Sequence, residues 1–294
     1  HQHEDKLHFV LWAYGEQLVL DPGNYSYDRS KWRRYIISTF GHNTVVVDGR
    51  GQNRRGKRET YVWPKPWDKP VPPGNDTLWI SREGFDFVRG SYGDGYGPKG
   101  EIEVRHIRRI LFVKPEYFIV QDTLIPEDDR EHVYESLFHL DADEAAVDEG
   151  SLAVRTVREG ANLLIVPLRD GLEARVVKGQ EDPVQGWANH PWRPIPTAIY
   201  SKRGKGTVRF VYVLYPFKGG EAPDVRVEPL RVEPPGSDAI AVAVHLPDGR
   251  VDRVLFNDSP GREVRLEGIP TKAEALCLRM DRRGREISRF SAEE

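Results

Sequence analysis

Three short segments of this sequence carry groups able to bind a metal or move a proton: His1-Gln2-His3, Asp21-Pro22-Gly23 and His42-Asn43. Read as a strand, the N-terminal segment places His1 and His3 on one face, the face that also carries Leu7 and Phe9, because side chains two apart point the same way. Imidazoles at the end of a core-facing row need a partner, either a hydrogen-bond acceptor or a metal. Asp21 ends the apolar run Leu18-Val19-Leu20 at a Pro-Gly turn, and His42 opens a strand leading into Val45-Val46-Val47. If these strands are neighbours, His3, Asp21 and His42 form a two-His-one-carboxylate set that suits zinc, with water in the fourth place. The alternative is that Asp21 caps its turn and the backbone satisfies each imidazole. That plainer reading is the one given to His106, His132, His139, His190 and His245.

A second cluster lies in residues 23–35: Tyr25, Tyr27, Arg29, Lys31, Trp32, Arg33, Arg34 and Tyr35. Aromatic faces offer apolar area to sugar rings, and guanidinium forks take carboxylate or sulfate through paired hydrogen bonds. Read as a loop, this stretch suits an anionic polysaccharide. It is equally readable as a surface loop packed by its own rings. The basic run Arg54, Arg55, Lys57 and Arg58 reads as a solvated loop that also guides a polyanion.

The elements that must position these groups are strands. The chain has 27 Gly and 22 Pro in 294 residues, and they punctuate short alternating apolar segments, the pattern of an all-β protein. Residues 102–113 and 117–123 read as two strands joined at Lys114-Pro115-Glu116, and Val133–Leu140, Leu152–Val157, Leu163–Val166 and Ala174–Val177 continue the series. Val208, Phe210, Tyr212 and Leu214 share one face of a later strand, with Val211 and Val213 on the other. Pro247-Asp248-Gly249 and Arg282-Arg283-Gly284 read as hairpin turns. No window keeps a helical period, so no long helix is expected. Residues 50–76 read as a long excursion. The fold expected is a large antiparallel two-sheet β-sandwich, supersandwich-like, over 1–220, with a small C-terminal β unit over 221–294 beyond a linker near Phe217–Asp224.

Composition narrows the function. Lys and Arg number 43 against 46 Asp and Glu, a formal charge of −3, which offers no basic excess for a nucleic-acid backbone. The apolar runs are far too short to span a membrane. A single cysteine, Cys277, excludes an internal disulfide and Cys-based zinc patterns.

Taken in order, His1-Gln2-His3-Glu4-Asp5-Lys6-Leu7, Asp21-Pro22-Gly23-Asn24-Tyr25-Ser26-Tyr27, Trp32-Arg33-Arg34-Tyr35, and His42 to Gly49 with Gln52 resemble the heparinase II/III-like family of polysaccharide lyases. The likeness is strong over the first ~50 residues and looser through Arg105–Val113, Gln121-Asp122 and Leu137–Leu140. It implies the C-terminal β-sandwich of an enzyme whose N-terminal (α/α) toroid is missing from this chain, with substrate lying between the two. It implies cleavage of uronic-acid polysaccharides, such as heparan sulfate or alginate, by β-elimination. His1 matches the family's active-site His from the sandwich side, and His3, Asp21 and His42 match the ligands of one structural zinc. Tyr25, Tyr27, Trp32, Arg33 and Arg34 are the expected substrate contacts. The family's proton-handling Tyr, with an Asn and a His, comes from the toroid, so neither Tyr25 nor Tyr27 is given that role. The resemblance also implies a periplasmic or secreted location, and little turnover by this chain without the helical part. The competing expectation is a non-catalytic module that binds acidic carbohydrate. A third is a structural sandwich whose histidines only staple the sheet.

Overall fold

The computed structural model describes residues 2–54, 77–189 and 191–293. His1, His190, Arg55, Lys57 and Arg58, all singled out above, lie outside the described residues.

Alternation builds two facing sheets. The larger has eight antiparallel strands in the order Thr77–Ser81, Phe85–Tyr92, Val104–Val113, Tyr117–Pro126, Val208–Lys218, Ala161–Pro167, Val154–Val157 and Glu144–Val147. The smaller has four, in the order Leu172–Lys178, Pro196–Lys205, Glu131–His139 and Val45–Val47. Val208, Phe210, Tyr212 and Leu214 point between the sheets, where they meet Val45, Val47, Tyr134, Phe138, Ala198 and Tyr200. Burying this face drives the sheets together. The expected all-β sandwich is what forms.

The opposite face of the large sheet is apolar too. Val211 and Val213, with Phe87, Leu111 and Ile119, pack against Val242, Val244, Val254, Phe256 and Cys277. These belong to a five-stranded sheet of Arg226–Leu230, Ala239–His245, Val251–Asn257, Ala275–Met280 and Glu286–Ala292. The C-terminal strands are therefore a third layer on the sandwich. Both expected hairpin turns are present, with Gly249 and Gly284 at φ 83° and 74°, a region open to glycine.

Two local expectations are corrected. Residues 2–10 are not a strand; the first strand is Leu11–Ala13. Lys6 and Leu7 form a turn instead, with Leu7 at φ 63° and the His8 amide donating to Asp5 O at 3.1 Å. Gln52 locks it by accepting from Lys6 N at 2.8 Å and donating to Lys6 O at 2.9 Å. The stretch read as a loop over 23–35 contains a helix, Lys31–Ile37, capped by Ser30 Oγ accepting from Arg33 N at 3.1 Å. Its Tyr35 and Ile36 are buried, and Tyr35 donates to Gln185 Oε1 at 3.0 Å, which anchors it to the sandwich.

Candidate metal centre

His42 follows a short 3-10 turn, Thr39–Gly41, and precedes the strand Val45–Val47. It is fully buried, and its Nδ1 lies 2.8 Å from Ser38 O, a carbonyl that can only accept. The proton therefore sits on Nδ1 and Nε2 presents a lone pair. That lone pair faces His3 Nδ1 at 3.4 Å and Asp21 Oδ2 at 3.7 Å. Asp21 is aimed by its own turn, because its Oδ1 accepts from Gly23 N at 2.8 Å. The structure thus brings both predicted imidazoles to one point, with the Asp21 carboxylate against His42.

Two residues at this point escaped the sequence reading. Asp5 joins His3 and His42, with one ligand atom of each within 4.8 Å of the others. His8 lies edge-on to His42, ring centroids 5.2 Å apart, and its Nε2 is 3.3 Å from Asp21 Oδ2. Strand alternation would have placed His8 opposite His3; the Lys6-Leu7 turn rotates it inward. The spacing signal was present, but the turn that uses it was not recognisable. Gly90 permits the approach, since a Cβ there would stand 2.7 Å from Leu7 Cδ2.

Burial sets the protonation of these rings. It lowers His3 below its ordinary value, helped by His42, and lowers His8 much further. Behind them His139 is pushed down to about 3 by burial and by His42. A neutral imidazole keeps a lone pair, which is what a metal requires of its ligand.

Among the described residues, His106, His132 and His245 have structural partners. His106 Nε2 meets Asp122 Oδ1 at 2.8 Å, and His132 lies between Asp48 and Asp128 at 2.7 and 2.9 Å. His245 faces Glu228 at 3.3 Å.

The expected substrate contacts divide into two groups. Tyr25 and Trp32 enter an aromatic cluster with Trp192, at centroid distances of 5.0 Å each, and Trp187 stacks on Trp192 at 5.3 Å. Asn189, in the same hairpin region, donates its backbone N–H to Pro22 O at 2.8 Å, tying the cluster to the Asp21 turn. Tyr27 is 74% exposed, with the Arg33 guanidinium 4.7 Å over its ring. Arg34 is exposed and bonds Arg29 O at 2.6 Å. Sequence reasoning passed over Trp187 and Trp192. It also passed over a groove of about 610 Å³ beside His8, walled by the exposed Trp12 and Trp79.

Residues 1–210 match the family model described as heparinase II/III-like, C-terminal. The chain belongs to that family. Heparan sulfate lyase HepC from Pedobacter heparinus superposes with a TM-score of 0.62 at 21% identity, over 83% of this chain and 35% of that one. A heparinase III with methylated lysines gives 0.66 at 16% identity, over 87% and 36%. A further heparinase III structure gives 0.63 at 13% identity, over 87% and 36%. At these identities the structures speak for the fold, and the chain spans about a third of their length. Comparison with curated proteins gives no sequence match.

Proposed function

We propose that this chain is the β-sandwich portion of a polysaccharide lyase that cleaves uronic-acid-containing glycans by β-elimination. The observation that carries the proposal is the meeting of His3 and His42 in a chain of this family. The abstracted proton lies α to the uronate carboxylate and becomes acidic when that charge is neutralised. A base then takes the proton while an acid protonates the departing glycosidic oxygen. On this reading His1 takes a catalytic role, and Arg33 and Arg34 on the helix grip carboxylate or sulfate. Tyr25, Tyr27 and Trp32 supply stacking area, and a helical toroid supplies the remaining groups. We propose a periplasmic or secreted location for such an enzyme, as the resemblance implies.

We propose one structural zinc held by His3, Asp21 and His42. Zinc–nitrogen bonds near 2.0–2.1 Å in a tetrahedron set ligand atoms about 3.3 Å apart. His42 Nε2 lies 3.4 Å from His3 Nδ1 and 3.7 Å from Asp21 Oδ2, while Asp5 is the carboxylate with an oxygen within 4.8 Å of both imidazoles. His42 also shows the expected outer partner, Ser38 O on its other nitrogen. Bound there, zinc would cross-link the N-terminal segment, the Asp21 turn and the strand entry. The cation-capped Tyr27 also suits a second reading, a module that binds acidic glycan without cleaving it.

The test joins this chain to a helical toroid, covalently or in trans, and follows the ultraviolet absorbance of unsaturated uronate. Turnover lost in His1→Ala, with glycan binding kept, supports the lyase. Binding without turnover in any combination favours the module.

A further inference from the structure

His8 plays no part in the reading above, yet it is among the most constrained side chains at the site. We propose that His8 is a positioning residue for the metal centre: it donates from Nε2 to hold the Asp21 carboxylate toward His42, and is not itself a ligand. This rests on the zinc reading given under Proposed function.

His8 Nδ1 lies 2.9 Å from the Asn43 backbone nitrogen, which can only donate. Nδ1 must therefore carry the lone pair, and a neutral His8 carries its proton on Nε2. That N–H is buried, has no well-directed acceptor, and its nearest one is Asp21 Oδ2 at 3.3 Å. A protonated Nε2 cannot bind a metal, but it can donate to a carboxylate that does. A buried donor this close to a single acceptor calls for that role.

The donor cannot swing away. Asn43 is fully buried, and its side chain donates to Phe9 O at 2.9 Å and Leu20 O at 2.8 Å while accepting from His139 N at 2.7 Å. One residue thus fixes the backbone on both sides: Phe9 next to His8, and Leu20 next to Asp21. His42, adjacent in sequence, is carried by the same backbone. The His8 ring is braced edge-on against His42. Asp21 then has both oxygens directed, Oδ1 by Gly23 N and Oδ2 by His8. Partners of this kind typically contribute 10–100-fold to metal affinity.

The test measures zinc affinity of the whole chain by competition with a chelating dye. It compares wild type with His8→Gln, whose amide nitrogen can stand in for Nε2, and His8→Phe, which keeps the ring contact but has no donor. Expected is a loss of about 10–100-fold for the phenylalanine variant, largely restored in the glutamine one. The absorption spectrum of the cobalt(II)-loaded protein should change in His8→Phe and not in His8→Gln. Equal affinity of wild type and His8→Phe overturns the role, as does an equal loss in both variants. Nitrogen-15 NMR of the metal-free wild type should show His8 as the Nε2–H tautomer; the Nδ1–H form overturns the proposal even if His8→Phe does not fold. A wild-type chain that takes up no zinc instead overturns the metal reading, and this role with it.

Discussion

Arg108 grips Asp122 through two nitrogens, Nε to Oδ1 at 2.7 Å and Nη2 to Oδ2 at 2.8 Å, while its third nitrogen binds the carbonyls of Leu7 and Asn43. Both residues are buried. One guanidinium thereby connects the middle of the large sheet to the backbone on which His8 and His42 are mounted. Lysine, a single point charge, cannot replace a planar fork with four acceptors.

Arg108→Met is accordingly expected to cost about 3–5 kcal/mol, because it leaves the Asp122 charge buried and short of a partner. Burial alone would raise the Asp122 pKa, but Arg108 and then His106 hold it well below the carboxylate range. A depressed folded pKa gives stability that is present above the unfolded value and lost as pH falls through the folded one. Without that depression the variant should lose less stability than wild type on acidification, so the gap between the two narrows as pH falls toward 3. Urea unfolding between pH 3 and 7 tests this; superimposable pH profiles would refute it.

His132 has the opposite sign. Both ring nitrogens face carboxylates, Asp48 at 2.7 Å and Asp128 at 2.9 Å, so both must donate. Burial lowers the His132 pKa, yet the two carboxylates outweigh it and raise it. A raised folded pKa contributes stability that is complete below the unfolded value of about 6.5 and lost as pH rises through the folded one. Unfolding midpoints should fall across that alkaline window in wild type and stay flatter in His132→Gln. NMR titration of the ring gives the direction independently.

How much of this was legible follows from which interactions are local. Alternation in Val208–Leu214 fixed two faces of a strand, and both faces found apolar partners. Turn residues marked the hairpins at Gly249 and Gly284 because left-handed backbone is a local demand. The turn at Lys6-Leu7 gave no such signal: neither residue favours φ > 0, and the contact that enforces it, Gln52, is 46 residues away. His8 was missed for that reason. Asp5, Trp187 and Trp192 became visible only once long-range packing placed them.

The third layer yields a further prediction. Phe256, Val242 and Val254 are fully buried against the large sheet, and Arg109 crosses the seam to Glu274 and Asp258, both at 2.7 Å. A chain ending at Gly220 would expose that apolar face, a patch of the kind that drives aggregation. It should elute as aggregate in size-exclusion chromatography where the full chain does not. Phe256→Ala should cost about 3–5 kcal/mol in urea unfolding.

The metal reading predicts a stability difference as well as a stoichiometry. Zinc that binds only the folded chain stabilises it by mass action, about 2.7 kcal/mol at a free concentration one hundred times Kd. The unfolding midpoint of wild type should rise with zinc and return with a chelator, and elemental analysis should find one zinc per chain. His42→Ala removes the buried nitrogen that faces both His3 and Asp21, and should abolish the zinc-dependent rise. His3→Ala removes a partly exposed side chain and should abolish the same rise with less loss in the metal-free protein. Comparing the two separates packing from liganding: a core histidine of merely structural importance would lower the midpoint in chelator and leave the zinc increment intact. An unchanged increment in both variants would remove His3 and His42 from the ligand set.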